Sequence, residues 1–535
     1  MDRTQRFTLA ATGLGLFMIF LDALIVNVAL PSIQDDFHVG ESGLQWVVTA
    51  YSLGMAVAIM SAGTLADLRG RRKLYLAGIA LFTAASIACG LARSLDVLNA
   101  ARGVQGIAAA TVNVTSLALV SAAFADPKQK AWAIGIWTAI ASTAMAIGPT
   151  LGGFLVQRAG WRLIFLVNVP VGLAVLVLTS RFVAESRDER PRRFDAPGQL
   201  LFVAAVGAFA YAVIEGPRAG WTSPEILGLF GVAVAALVAF VVVERASRDP
   251  MMDLSLFHDR TYSLAILTIF TVLFAVYGML LVITQYLQNV RGFSPTQAGL
   301  LLLPYSATCT LVSLRAGKMM GVVGSRRLIL AGLFSQIVGF GVLIAGMGHA
   351  TPVVVVGMVF SSLGSALCLT PITSLAMTAV PPERAGMASG IMSAQRALGS
   401  TVGFAVLGSV LAASLTATLS AHLAAALPDP VERKEVAATI IGNANPRAYA
   451  AEIGPGRPIG HLDEATRQAI LAAADRDFVE GIRWSLGVAV VILAAVFAAG
   501  LAGFPRGRGG MADATREAGK LEAEEASRSA EGALS

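Results

Sequence analysis

The sequence predicts an all-α polytopic membrane protein of fourteen transmembrane helices. They are expected to form two six-helix bundles in a parallel pseudo-repeat, with a two-helix hairpin inserted between them. Three observations carry this. Of 535 residues, 56% are hydrophobic and only 14% charged, with a mean hydropathy of +0.70, far too little charge to coat a soluble chain of this length. Apolar runs of about 20 residues, the length of helix that crosses a bilayer core, recur along the chain. Basic loops also recur at one offset: Gly63, Gly70, Arg72 and Lys73 correspond to Gly317, Gly324, Arg326 and Arg327, since 317 − 63, 324 − 70, 326 − 72 and 327 − 73 all equal 254. Pro127 and Pro381 share that offset.

In chain order the predicted spans are 8–30, 44–65, 74–93, 96–122, 132–157 and 163–184, then the pair 198–217 and 224–243. Six more follow at 262–286, 297–320, 327–347, 352–378, 386–411 and 482–503. A unit of six helices at about 30 residues each needs only about 180, so an interval of 254 leaves room for the extra hairpin. An even number of helices per unit makes the repeats parallel, with a substrate path expected between them near the midplane. The domains are therefore expected at 1–190, 191–245 and 246–505, the last with a long outer loop over 412–478, followed by a disordered tail over 506–535. The basic start Met1 to Arg6 resembles a signal peptide. The run behind it is too long for one, carries Asp22 and lacks a clear cleavage site, so it reads as a retained first span.

Lys and Arg set the orientation. Alternate loops hold Arg69, Arg71, Arg72 and Lys73; Lys128 and Lys130; Arg187, Arg190, Arg192 and Arg193; Arg245, Arg248 and Arg260; and Arg326 and Arg327. The opposite loops hold Arg93, Arg158, Arg162, Arg218 and Arg291. A bias of roughly three or four to one places the first set, and both termini, in the cytoplasm of a plasma-membrane protein.

Several function classes are excluded. The formal charge of +6 resides in short topogenic loops, which argues against nucleic acid as a partner. Cys89, Cys309 and Cys368 lie in apolar segments without disulfide or metal spacing, and His38, His258, His349, His422 and His461 all fall in predicted loops. No phosphate loop, nucleophile elbow, zinc-protease motif or Cys-x-x-Cys appears, so neither an enzyme nor an ATP-driven pump is expected, and no cofactor or metal.

The candidate site begins in the first span, where Phe20-Leu21-Asp22-Ala23 places a carboxylate at bilayer depth. An ionisable group there costs several kcal/mol unless paired or facing a watery cavity, and so marks a functional site. Counting about 1.5 Å per residue, Asp22 lies roughly 13 Å below Pro31 and Arg102 roughly 10 Å below Leu95, so the two can pair across helices 1 and 4. Pairing favours the ionised acid and burial without Arg102 disfavours it, so a conformational change could bind or release a proton. At the inner mouth, Gly63, Asp67, Gly70, Arg71 and Arg72 offer a tight turn and charges able to lock helix ends. In helix 5, Gly148, Pro149, Gly152 and Gly153 permit close helix contact with a local deformation. Glu215, Arg315 and Arg396 are further candidate buried charges, each open between function and helix-end anchoring.

These motifs, in this order, resemble the major facilitator superfamily in its fourteen-helix drug:proton antiporter branch, over residues 7–505. Leu21-Asp22 through Asn27-Val28-Ala29-Leu30-Pro31 is similar to the branch's first-helix signature, Gly63 to Lys73 to the superfamily's loop motif, and Gly148 to Gly153 to the antiporter motif. Arg102-Gly103-Val104-Gln105-Gly106 is similar to the fourth-helix motif implicated in proton coupling. Tyr211 to Pro217 and Ala385 to Arg396 resemble the actinobacterial spectinomycin/tetracycline exporters. The resemblance implies alternating access, export, and coupling roles for Asp22, Arg102 and Gln105. Two positions depart from it. Leu24 stands where the branch usually has Thr, and Gly321 where the second-half loop motif has an acid.

The expected function is proton-coupled efflux of amphipathic or cationic small molecules by a monomer, spectinomycin and tetracycline being candidate substrates. The alternatives are export of an endogenous lipid, siderophore or peptide, or a non-transporting membrane sensor.

Overall fold

The computed structural model describes residues 1–124, 126–186, 195–247, 250–348, 350–380, 384–425 and 464–505, with isolated positions between 427 and 436. Every regular element among them is helical. In the first half these are α1 (Arg3–Phe37), α2 (Glu41–Arg69), α3 (Arg71–Gly90), α4 (Leu95–Ala123), α5 (Pro127–Ala159) and α6 (Leu163–Phe182, bent at Val167). The hairpin is α7 (Ala196–Ala219) and α8 (Pro224–Ala246). The second half comprises α9 (Arg260–Val290, ending in a π turn), α10 (Pro295–Val323, bent at Leu302), α11 (Ser325–Gly346), α12 (Thr351–Thr378), α13 (Ala385–His422) and α14 (Glu464–Gly503). Thirteen of these are long and apolar enough to cross a membrane among the described residues, and α5, with 33 residues, occupies the fifth predicted span. The chain is a multi-pass membrane protein.

The internal repeat is visible in the backbone. Gly70 joins α2 to α3 at φ 103°, and Gly324 joins α10 to α11 at φ 88°; both lie in the positive-φ region that only glycine enters without strain. The same turn, 254 residues apart (324 − 70), is built twice. The end of the bundle carrying these turns is the basic side, and the opposite end the far side.

Lipid removes the hydrophobic drive between helices, so their contact depends on small residues. A Cβ at Gly106 of α4 would collide with the Tyr51 carbonyl of α2, and α11 meets α12 through Gly332, Gly339, Gly357 and Gly364. The halves touch through α2 against α13 and, on the far side, through α5 against α10 and α1 against α9. There, Gly153 abuts the Pro295 backbone, Gly299 abuts that of Pro149, and Gln288 Nε2 donates to the Val28 carbonyl at 3.0 Å. On the basic side no atom approaches within 4 Å of a Cβ placed at Gly135 of α5 or at Gly317 and Gly321 of α10, and Trp132, Leu311 and Leu314 are exposed. The halves are thus joined on the far side, while α5 and α10 leave open space about these positions on the basic side.

The hairpin packs in the groove between α2 and α13. Glu215 of α7 accepts from Trp46 Nε1 at 3.1 Å, Ser409 of α13 donates to the Val213 carbonyl at 2.6 Å, and Gln199 meets Ser61 and the Val57 carbonyl of α2. Glu244, buried near the end of α8, accepts from the Met252 amide at 2.9 Å and ties the hairpin to the second half.

Several boundaries differ from expectation. The first helix does not stop at Pro31: loss of one N–H leaves the neighbouring hydrogen bonds intact, and α1 continues to Phe37, where His38 caps it at φ 52°. The long loop is shorter than 412–478, because Ala-rich flanks prolong α13 to His422 and start α14 at Glu464. His422 therefore ends a helix rather than lying in a loop. The turn-rich run from Ile453 to Pro458, residues 506–535, the basic positions Arg187, Arg190, Arg192, Arg193 and Arg248, and also His349, Pro381 and His461 lie outside the described residues.

Candidate functional site

Asp22 projects from α1 into the interior of the first bundle rather than into the path. It is 0% exposed and Arg102 1%. Arg102 Nη1 donates to Asp22 Oδ2 at 2.5 Å, while Oδ1 accepts from Gln105 Nε2 at 2.9 Å and from Asn168 Nδ2 at 2.8 Å. One carboxylate thus joins two helices, α4 and α6, to its own. Arg102 is held in turn: its Nε donates to the Val47 carbonyl at 3.1 Å, its Nη1 also reaches Gln105 Oε1 at 2.8 Å, and its guanidinium lies 4.3 Å from the centroid of the Tyr51 ring. Gln105 donates onward to Ser86 of α3 at 2.9 Å. Removing two ions from water is costly, and only such dense hydrogen bonding offsets it.

The helix 5 motif flanks this network. Gly148 and Gly152 pack on Leu21, Leu24 and Ile25 of α1, on either side of Asp22 along the helix, while Pro149 and Gly153 turn their backbone to α10 of the other half. Thr150 Oγ1 donates to the Gly299 carbonyl at 3.3 Å. One short segment therefore links the helix bearing Asp22 to the far-side closure. Leu24 is buried against the core of the second half, not presented to an open pocket.

On the basic side Asp67 pairs with Arg71 one turn away at 2.9 Å, and Arg72 Nη2 donates to the Ser180 carbonyl at the end of α6 at 2.5 Å. Glu185, which sequence reasoning did not single out, accepts from the Arg72 amide at 2.9 Å and the Lys73 amide at 3.3 Å. An anion on the exposed amides of a helix N-terminus is a favourable pairing, and it fastens α3 to α6. Asn168, Ser86 and Tyr51 were missed as well. Uncharged polar residues within spans are common, and only their convergence on one carboxylate marks these.

The remaining charges divide. Glu215 is buried, as expected, and its carboxylate pairs with Arg218 at 2.9 Å as well as with Trp46. Arg315 and Arg396 are not buried: both side chains are exposed, because the basic side is open and a guanidinium at spanning depth takes the watery side of its helix. Among the described residues Arg315 reaches the Leu311 carbonyl of its own helix at 3.3 Å, and Arg396 donates to Thr373 Oγ1 of α12 at 2.8 Å. Among the described residues no group of His, Cys, Asp and Glu is arranged to hold a metal.

This arrangement, two bundles around a path with a sealed charge network in the first, can be compared with known proteins. The Major Facilitator Superfamily profile matches residues 12–404. The chain belongs to that superfamily. It is 61% identical over 506 residues to the Multidrug resistance protein Stp of Mycobacterium tuberculosis, covering 95% of this chain and 93% of that one. It is 44% identical to the Drug efflux pump JefA of the same organism, covering 95% and 99%. The fold is also similar to that in the crystal structure of a bacterial homolog to the human lysosomal transporter Spinster, in an inward-facing and unoccupied conformation. That structure aligns with a TM-score of 0.64 at 17% identity, covering 95% of this chain and 100% of the other.

Proposed function

We propose that this superfamily member is a monomeric, proton-coupled exporter of drug-like amphiphiles, working by alternating access in the plasma membrane with both termini in the cytoplasm. The bodies that move are taken to be residues 1–190 and 246–505, with the hairpin of 191–245 riding in the groove between them. Likeness to proteins named for drug resistance and efflux supports the substrate class. The observation that carries the coupling is the position of the Asp22 network directly behind the α5 segment that closes the far side.

Ionised Asp22 holds Arg102, Gln105 and Asn168 to α1. Protonation removes the anion, leaves Arg102 without its counter-charge in an apolar interior, and so favours a different arrangement of α1 against α4. Leu21 and Ile25 lie against the glycine face of α5, so a shift of α1 changes how Pro149 and Gly153 seat on α10. A proton and the far-side gate then bias one two-state element, which is all that coupling requires. The state described here, with Asp22 paired and the basic side open, is the one that has released its proton and can accept substrate from the cytoplasm.

The test is ethidium uptake into inverted membrane vesicles with an acidic lumen. Asp22→Asn is expected to abolish gradient-driven uptake while ethidium still binds in detergent. Gradient-driven uptake that persists in Asp22→Asn at the wild-type rate rejects the assignment.

A further inference from the structure

Exposed cationic side chains stand on the path-forming helices of the second half, Arg315 on α10 and Arg396 on α13. Arg396 of α13 sits at spanning depth, exposed to the space between the halves. Its position follows from its neighbours. Two turns further toward the far side, about 12 Å away at 1.5 Å per residue, Phe404 packs edge-on against Tyr277 of α9 at 5.5 Å, and Tyr277 touches the cores of both halves. Arg396 lies close enough to Tyr277 to interact electrostatically and reaches across to Thr373 on α12. Helices α12 and α13 thus meet at one guanidinium, with Tyr277 of α9 near it.

That guanidinium has a neutral partner only. Among the described residues no carboxylate stands within ion-pair distance of it, and its one hydrogen bond goes to a hydroxyl at 2.8 Å. Among the described residues, three buried acids of the spans are engaged elsewhere: Asp22 with Arg102, Glu215 with Arg218 and Trp46, and Glu244 with the Met252 amide. A charge kept at bilayer depth without a counter-ion has its partner supplied from outside the chain, and an arginine fork fits a planar oxyanion in two parallel hydrogen bonds.

We propose that Arg396, with Thr373 and Tyr277, forms an anion-recognising subsite, and that the exported amphiphiles include molecules carrying a carboxylate, sulfonate or equivalent oxyanion beside an aromatic body. This rests on the reading of the chain as a proton-driven exporter and narrows its substrate class. The partly exposed Tyr277 ring, held from behind by the buried Phe404, supplies the apolar wall, and Arg396 fixes the charged end.

Inverted vesicles with an acidic lumen test it with two probes, pyrene-1-sulfonate as the anion and ethidium as the cation. The wild-type protein takes up pyrene-1-sulfonate; Arg396→Gln raises its KM at least tenfold without slowing ethidium uptake, from whose path it removes a like charge, and Arg396→Lys falls between. Ethidium uptake no slower than wild type also shows that the variant is folded. An unaltered KM for the sulfonate in Arg396→Gln overturns the subsite, as does an equal loss for both probes. Uptake of ethidium alone by the wild type overturns the subsite but leaves the exporter reading standing. Uptake of neither overturns both.

Discussion

At the scale of single residues, the pairing of Asp22 with Arg102 was legible because charge at bilayer depth is rare and helix geometry fixes depth. Asn168 and Ser86 were not legible, since nothing in their spacing separates them from the many hydroxyls and amides that only satisfy backbone groups. The network makes an unequal prediction for its two charged members. Arg102→Gln leaves a buried carboxylate without its cation and should destabilise the protein by about 3–5 kcal/mol unless Asp22 takes up a proton. Asp22→Asn/Arg102→Gln removes both charges and should recover most of that loss. Thermal unfolding in detergent at pH 7.5 distinguishes the two outcomes, and a double variant no more stable than Arg102→Gln would show that the pair is not a unit. Asn168→Ala removes one of three donors to Asp22 and should cost about 1–3 kcal/mol, read in the same assay.

At the scale of elements, hydropathy located every span but misplaced several ends. Pro31, Ala-rich flanks and the bend at Val167 are invisible to an apolar window, because helix can continue past a bilayer boundary wherever its backbone bonds are satisfied. Small residues told more. Gly106 meets the Tyr51 carbonyl, so Gly106→Leu should separate α2 from α4 and abolish stable expression. Gly207→Leu, on an open face of α7, serves as the control and should express normally. The turn between α2 and α3 gives a milder case. Glu185→Gln keeps the shape but loses the charge on the Arg72 and Lys73 amides, and should cost about 0.3–1 kcal/mol, less at high salt. A shift in melting temperature that does not shrink with added salt would assign that contact to shape rather than charge.

At the scale of the whole molecule, the repeat was readable from four aligned loop positions, and its backbone echo at Gly70 and Gly324 shows why: a positive-φ junction admits little besides glycine. Which side of the path stands open was not readable, since both arrangements bury the same helices and differ only in which ends of α5 and α10 meet. That contact sets the balance between the two states. Gly299 seats against the Pro149 backbone, and a side chain there cannot be accommodated without parting the far side. Gly299→Leu should therefore shift the population toward the far-side-open form. Accessibility measures this directly: Ser393→Cys, one turn from Arg396 on α13, is expected to react with a membrane-impermeant maleimide from the basic side. The measurement needs a background lacking Cys89, Cys309 and Cys368. Adding Gly299→Leu should slow that labelling by about tenfold, which corresponds to a shift of about 1.4 kcal/mol between the states. Labelling at an unchanged rate would mean that the α5–α10 contact follows the conformational change without governing it, and the route from Asp22 to the gate would then have to run through α2 and α13.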